Sequence, residues 1–156
     1  MRVLCAIGVR GGAYLAQRTA ARICGEAEWL LLHVIDVGPR GELERIGPPH
    51  RPPRPHPPHE RELDRGEEVG GEDALKEALD ALQALGLGAE MRLERGRPNE
   101  VIVEVAQRMN ADLIAIQARE RAGHPRQGPM PMGHTARFIL DHAPCDVLLL
   151  RNGDAK

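Results

Sequence analysis

Short apolar runs alternate with amphipathic helical patterns along most of this 156-residue chain. Consecutive apolar positions are typical of strands buried on both faces of a parallel sheet, and they occur at 2–7, 29–34, 113–116 and 147–150. A fifth run, 89–93, alternates and indicates a more exposed strand. Apolar residues recur three and four positions apart between the runs, which predicts helices over 14–24, 73–85, 98–109 and 135–142.

This β-α-β-α-β-α-β-α-β order constrains the fold. Alternating strands and helices of these lengths predict right-handed crossovers, and hence an α/β fold with a doubly wound five-stranded parallel sheet and helices on both faces. We expect one domain over residues 1–151, followed by a disordered tail at 152–156. Ligands of such sheets bind at the carboxyl ends of the strands near the switch point, which predicts a site formed by 8–12, 34–37 and 117–135.

One segment interrupts the alternation. Residues 47–58 contain seven of the thirteen prolines, interleaved with arginines and histidines. Proline favours extended conformations and excludes helix interiors, so we predict a mobile insertion at about 38–71 within the single domain. Two interpretations stay open, a docking segment for an acidic or aromatic-lined partner groove and an inert insert.

Composition and charge argue against several classes of partner. A formal net charge of −2 gives no electrostatic attraction to nucleic acid or an acidic membrane, and three aromatic residues offer few platforms for stacking bases. No apolar run is long enough to span a bilayer, and the first one is too short for a signal peptide. We therefore expect a cytoplasmic protein without nucleic-acid or membrane partners, with Cys5, Cys24 and Cys145 as small buried thiols.

Catalytic and metal-binding patterns are not visible in the sequence. No nucleophile stands in a Ser/His/Asp or Cys/His arrangement, so we expect the protein not to be an enzyme. His50, His56 and His59 have spacings of six and three in a proline-rich segment, which does not preorganise a metal site, and we predict none. His33 lies within a predicted strand and is interpreted as a hydrogen-bonded core histidine.

Four segments in order resemble the universal stress protein family. They are the opening unit 2–21, the second strand 31–36, the stretch 96–114 and the closing stretch 133–151, which includes His142-Ala143-Pro144-Cys145. The resemblance implies an α/β domain that forms a homodimer through its C-terminal strand. Residues 147–150 are apolar on both faces, and an exposed edge of this kind favours pairing with a partner strand.

The resemblance also implies where a nucleotide binds. In members that bind ATP, an Asp ends the first strand, the residue after a strand-two His meets the adenine, and the phosphates rest on Gly-x-x-Gly, nine residues, then Gly-Ser/Thr. Gly8 stands here at the position of the Asp, and Val34 follows His33. The implied phosphate-contacting residues are Arg119, Gly133, His134, Thr135 and Ala136.

This chain departs from the binding pattern at several positions. Gly8 offers no carboxylate, and Gln117-Ala118-Arg119-Glu120 lacks both glycines of the first phosphate motif. Only Gly takes positive φ freely and lets the backbone close on a phosphate. Twelve residues separate Glu120 from Gly133, and His134 stands where the pattern has Ser or Thr.

The resemblance with these departures favours a non-enzymatic regulatory or interaction module in stress response. Its nucleotide site is degenerate and is expected to be empty, so no cofactor is assigned. The alternative is a sensor of ATP or another adenine nucleotide, with phosphate contacts at the start of the last helix. A protein partner is compatible with either interpretation.

Three local patterns keep two interpretations each. Thr135 either anchors a phosphate or caps the last helix. The pair Gly11-Gly12 either cradles a phosphate or serves the strand-to-helix turn. Arg119, Arg121 and Arg126 either clamp an anion or are solvated loop residues.

Overall fold

The structure is a computed structural model that describes residues 1–37, 58–118 and 133–151, without the side chains of 58–64. Its strands are β1 (Arg2–Ala6), β2 (Glu28–Asp36), β3 (Glu90–Gly96), β4 (Leu113–Gln117) and β5 (Asp146–Leu150). Its helices are α1 (Gly12–Ala20), α2 (Pro58–Gln83), α3 (Pro98–Met109) and α4 (His134–His142).

The five strands form one parallel sheet in the order β3-β2-β1-β4-β5. The order reverses at β1, which pairs with β2 on one side and with β4 on the other. One core, with Leu15, Leu31 and Leu82, fills the face covered by α1 and α2, and a second, with Val105 and Ile139, fills the face covered by α3 and α4. The predicted α/β fold is therefore confirmed.

Helix α2 differs most from its prediction. The expected helix was 73–85, and the observed one begins fifteen residues earlier, at Pro58. Residues 58–71, which the sequence analysis assigns to the insertion, are helical, and their mobility stays a prediction. Pro58 is the first helical residue, a position where the missing N–H of proline costs no hydrogen bond. Residues 38–57 and the tail 152–156 lie outside the described residues, so those parts of the prediction stay predictions.

The two edge strands of the sheet differ in chemistry. β3 carries alternating charges at Glu90, Arg92, Glu94 and Arg95. β5 is apolar after Asp146, and the residues Val147 to Leu149 are half-buried in the isolated chain. Charged edges resist pairing with further strands, whereas apolar edges favour it.

The single tryptophan lies near the amino ends of the strands. Trp29, in β2, is 5% exposed and belongs to the core under α1 and α2. Within the described part of the chain, its indole Nε1 is the one buried side-chain polar atom without a hydrogen-bond partner.

Candidate functional site

The carboxyl edge of the sheet brings most of the predicted site residues together. Gly8 follows β1 and is exposed, and Val34 lies near the end of β2 and is half-buried. α4 connects two parallel strands and so runs antiparallel to them, which places its first residues, His134 to Ala136, at this same edge. Gly133 precedes them directly. Arg119 lies outside the described residues, as do Arg121 and Arg126.

Gly8 has room for a side chain. A Cβ atom built on Gly8 would meet only the carbonyl oxygen of Arg10, at an ordinary contact distance of 3.7 Å. Its φ angle is not positive. The missing carboxylate at this position is therefore a property of the sequence and is not imposed by crowding.

Gly11 and Gln117 are in close contact. Gly11 caps the start of α1 with a left-handed φ of 76°. A Cβ atom built on it would lie 2.7 Å from Oε1 and 2.9 Å from Nε2 of Gln117. The half-buried side-chain amide of Gln117 therefore lies directly on the turn that begins α1, and only glycine fits beneath it.

Gly12 has a packing role. A Cβ atom here would lie 2.7 Å from Cγ2 of Ile7 and 3.2 Å from the carbonyl oxygen of Ala74 in α2. The missing side chain lets α1 and α2 approach closely over the end of β1. Together, Gly11 and Gly12 have structural roles that favour the turn interpretation over a phosphate cradle.

His33 is a core histidine, as predicted. Its side chain is buried, and its Nδ1 donates a hydrogen bond to the carbonyl oxygen of Ile7 at 2.7 Å. The opposite side of the ring contacts α2 at Gly71, where a Cβ atom would lie 2.8 Å from Nε2. The imidazole thus connects the end of β1 to α2, a contact that the sequence did not indicate.

The start of α4 carries no side-chain cap. Its N-cap is Gly133, and Thr135 is the second helical residue. The interpretation of Thr135 as the cap is therefore wrong, because the helix begins two residues earlier than capping would require. Arg137 is the first residue whose N–H reaches an intrahelical acceptor, the carbonyl oxygen of Gly133 at 3.1 Å. The phosphate interpretation of Thr135 stays a prediction.

The cysteines do not contribute a nucleophile to this edge. Burial raises the pKa of the Cys5 thiol to about 12, against a smaller lowering by the hydrogen bond from Thr19. Partial burial, then Asp146 and Asp112, raise the pKa of Cys145, which precedes β5 at its amino end. Cys5 is buried as predicted, whereas the prediction of a buried thiol is wrong for Cys24, which is exposed, and Cys145 is half-buried. Raised thiol pKa values make both affected cysteines weak nucleophiles at neutral pH.

Two depressions lie at the opposite, amino-terminal edge of the sheet. Arg2, Glu28 and Glu90 line one of about 200 Å³, and Met1, Arg2 and Asp112 line part of a wider one of about 880 Å³. Ligands of doubly wound sheets bind at the carboxyl edge, so we do not assign the site to these depressions.

The described residues form neither a metal-binding cluster nor a membrane-spanning helix. Within 1–37, 65–118 and 133–151, no three His, Cys, Asp or Glu side chains are arranged to hold a metal ion. None of the helices described there combines the length and apolar character that crossing a membrane requires.

Comparison with known proteins identifies the family. The family model "Universal stress protein family" matches residues 1–151. Universal stress protein E of Escherichia coli strain K12 is 32% identical over 76 residues, which are 47% of this chain and 23% of that protein. The match thus spans about a quarter of the length of the curated relatives.

Solved structures agree on the fold. Hypothetical protein MJ0577 superposes with a TM-score of 0.72 at 17% identity, over 99% of this chain and 97% of that one. A universal stress protein family protein from Arabidopsis thaliana with AMP bound gives a TM-score of 0.63 at 17% identity, over 99% and 93%. On the strength of the family match and these folds, the chain belongs to the universal stress protein family.

Proposed function

We propose that this protein is a non-catalytic regulatory module of the universal stress protein family that does not hold ATP in the manner of the family's binding members. The observation that carries the proposal is the contact between Gln117 and Gly11. The family resemblance places a glycine of the phosphate loop at position 117. Here a half-buried side chain lies in that place and contacts the turn before α1.

The replacement at position 117 affects both space and backbone freedom. The Gln117 amide takes up room beside the switch point between β1 and β4, where a bound ligand of a doubly wound sheet lies. It also removes the backbone freedom that glycine supplies to a phosphate-binding loop. Gly8 compounds the effect, because the edge lacks the carboxylate that the resemblance assigns to adenosine binding.

Calorimetry of the full chain with ATP and with AMP, each with Mg²⁺, tests this proposal. We expect the natural protein not to bind nucleotide at about millimolar concentration, at which even weak sites are occupied. The double variant Gly8→Asp/Gln117→Gly is expected to gain affinity, because Gly8 has room for the new side chain.

Gly88→Asp/Gln117→Gly is the matched control. It adds the same carboxylate at another unobstructed glycine, which lies between α2 and β3 and away from the carboxyl edge. Micromolar binding of ATP by the natural sequence would contradict the proposal. Equal gains in both double variants would show that Gly8 has no special role.

The second candidate is a sensor of adenine nucleotides. The uncapped start of α4 favours it, because backbone N–H groups without intrahelical partners and the helix dipole attract phosphate. A fold neighbour from Arabidopsis thaliana has AMP bound. In this candidate the adenine contacts Val34 and the phosphates contact the residues from Gly133 to Ala136. A thermal shift with ATP that Gly133→Asp abolishes would favour the sensor over the empty module.

We also propose that the protein forms a homodimer through β5. The apolar edge at Val147 to Leu149 contrasts with the charged edge of β3 on the same sheet, and only the former suits strand pairing. Sedimentation at micromolar protein is expected to give twice the 17.1 kDa of one chain. Val147→Lys should shift the protein towards monomer, whereas Met91→Lys on β3 should not. If the protein with the natural sequence sedimented only as a monomer, this would contradict the proposed homodimer.

A further inference from the structure

Helix α2 has two parts that differ in burial. Its second part packs on the sheet through residues spaced three and four apart, and the buried ones are Gly71, Ala74, Leu75, Ala78, Ala81 and Leu82. No residue from 65 to 70 is buried, and Val69 is 54% exposed. The stability of a protein helix comes mostly from its buried face, so the first part has little support of its own.

Glycines are concentrated in this first part. Gly66, Gly70 and Gly71 all lie within the helix. Each glycine inside a helix lowers the helical equilibrium by about fivefold relative to alanine. Two consecutive glycines at 70 and 71 mark the boundary between the exposed and the buried parts of α2.

Among the residues that the structure describes, Arg95, Val9 and His33 contact residues 65–71. The Glu68 carboxylate forms an ion pair with Arg95 of β3, and both side chains are partly exposed. Such pairs contribute little to stability. Val9 lies beside Gly70, where a Cβ atom would be 3.8 Å from its Cγ1, and His33 lies against Gly71.

These contacts share one location. Val9 follows β1, His33 is near the end of β2, and Arg95 is near the end of β3. Residues 65–71 therefore lie across the carboxyl ends of three neighbouring strands. They also cover the His33 ring, which in turn donates to the carbonyl oxygen of Ile7 just before the loop 8–11.

We propose that residues 65–71 form a strap that unfolds locally while residues 72–83 of α2 stay folded, with its hinge at Gly70-Gly71. The closed strap seats Gly71 on the His33 ring and shields the end of β1. The open strap exposes the imidazole of His33 and releases the contact of Gly70 with Val9 at the carboxyl edge. This device goes beyond the proposed function, because it operates whether or not the edge binds a nucleotide.

Hydrogen exchange of the full chain tests the strap. Backbone amides of 65–70 are expected to exchange at least about 100-fold faster than those of 75–82, since local opening bypasses global unfolding. Gly66→Ala should slow exchange in the strap by about fivefold, because its Cβ atom would meet nothing within 4 Å and alanine favours the helix. Exchange at 75–82 should not change. Equal exchange in both parts of α2, or no response to Gly66→Ala, would overturn the proposal.

A second pair of variants tests the contact between Gly71 and the His33 ring. Gly71→Ala places a methyl group against Nε2 of His33 and is expected to speed exchange at 65–70, the opposite of Gly66→Ala. In a His33→Ala background the same Gly71→Ala change should slow exchange instead, because the obstacle is gone and only the helix preference of alanine remains. If Gly71→Ala slowed exchange in the otherwise natural protein, the proposed contact between Gly71 and the His33 ring would be overturned. If the Gly71→Ala variant does not fold, the Gly66→Ala variant still tests whether residues 65–71 unfold locally.

Discussion

The side-chain amide of Gln117, at the end of β4, lies directly on Gly11, the residue that begins α1, so that Oε1 would be 2.7 Å from a Cβ atom at Gly11. This contact ties the end of β4 to the turn after β1 on the face covered by α1 and α2. The φ of 76° at Gly11 adds a second requirement for glycine, because other residues occupy this region only at a cost.

Gly11→Ala is therefore expected to lower the free energy of unfolding by about 2 kcal/mol, from the left-handed backbone and the collision together. Urea denaturation measures the loss. Adding Gln117→Ala should recover the part due to the collision and leave the part due to φ. Gly88→Ala serves as control, since its Cβ atom would meet nothing within 4 Å. A loss no larger than in this control would show that Gln117 gives way freely.

Two nearby leucines should respond very differently to truncation. Leu82, near the end of α2, is fully buried against the sheet, whereas Leu85, just past the end of the helix, is 53% exposed. Leu82→Ala should cost about 3 kcal/mol, because a cavity remains in the core. Leu85→Ala should change stability by less than about 0.5 kcal/mol. Similar losses in the two variants, measured by urea denaturation, would contradict the described packing of α2 on the sheet.

Stability should fall in alkaline solution through Cys5. Its pKa is about 12 in the folded protein and 9.0 when unperturbed, so above pH 9 the unfolded state has lost a proton that the folded state keeps. The contribution is thus fully present below pH 9 and declines by about 1.4 kcal/mol per pH unit above it. Comparing the pH dependence of unfolding in the natural sequence and in Cys5→Ala isolates this component. Parallel pH profiles for the two would contradict the raised pKa.

The three thiols should react with a disulfide reagent in a fixed order. Exposed Cys24 is expected to react first, and half-buried Cys145 more slowly, because its raised pKa leaves less thiolate. Buried Cys5 should react only when the protein unfolds. Mass spectrometry of the labelled peptides over time gives the order. Labelling of Cys5 as fast as Cys24 in native protein would be inconsistent with the position of β1 in the sheet.

Local signals in the sequence were sufficient to predict where α3 begins and ends. Pro98 occupies the first turn, and apolar positions then repeat with the period of a helix until Met109. Asn110 follows with a left-handed φ of 49°, a conformation that asparagine tolerates at helix ends. All of these signals lie within the helix or next to it, and the predicted bounds agree with the structure.

The first part of α2 was missed because its evidence is not local. Prolines before it and glycines within it argue against a helix on propensity alone. The need for glycine at 71 comes from His33 on β2, which lies far away in the sequence and close in space. A pattern read along the chain cannot reveal a glycine that is required by a side chain on another element.

The same distinction applies to the candidate site. Parallel topology was enough to predict that Gly8, Val34 and the start of α4 share one edge of the sheet. The contact of Gln117 with Gly11 depends on how β4 faces α1, which composition and spacing do not determine. The role of Thr135 also depends on the exact residue at which α4 begins. The helix begins at His134, so Thr135 does not cap it.

The placement of Trp29 gives the protein a built-in optical probe. Its indole is the only one in the chain, it is almost fully buried, and it lies towards the amino ends of the strands. Its fluorescence should therefore shift to longer wavelength when the core around α1 and α2 is exposed to water, and should stay constant when a molecule occupies the carboxyl edge. Emission from this one residue can separate loss of the fold from occupancy of the site without any added label.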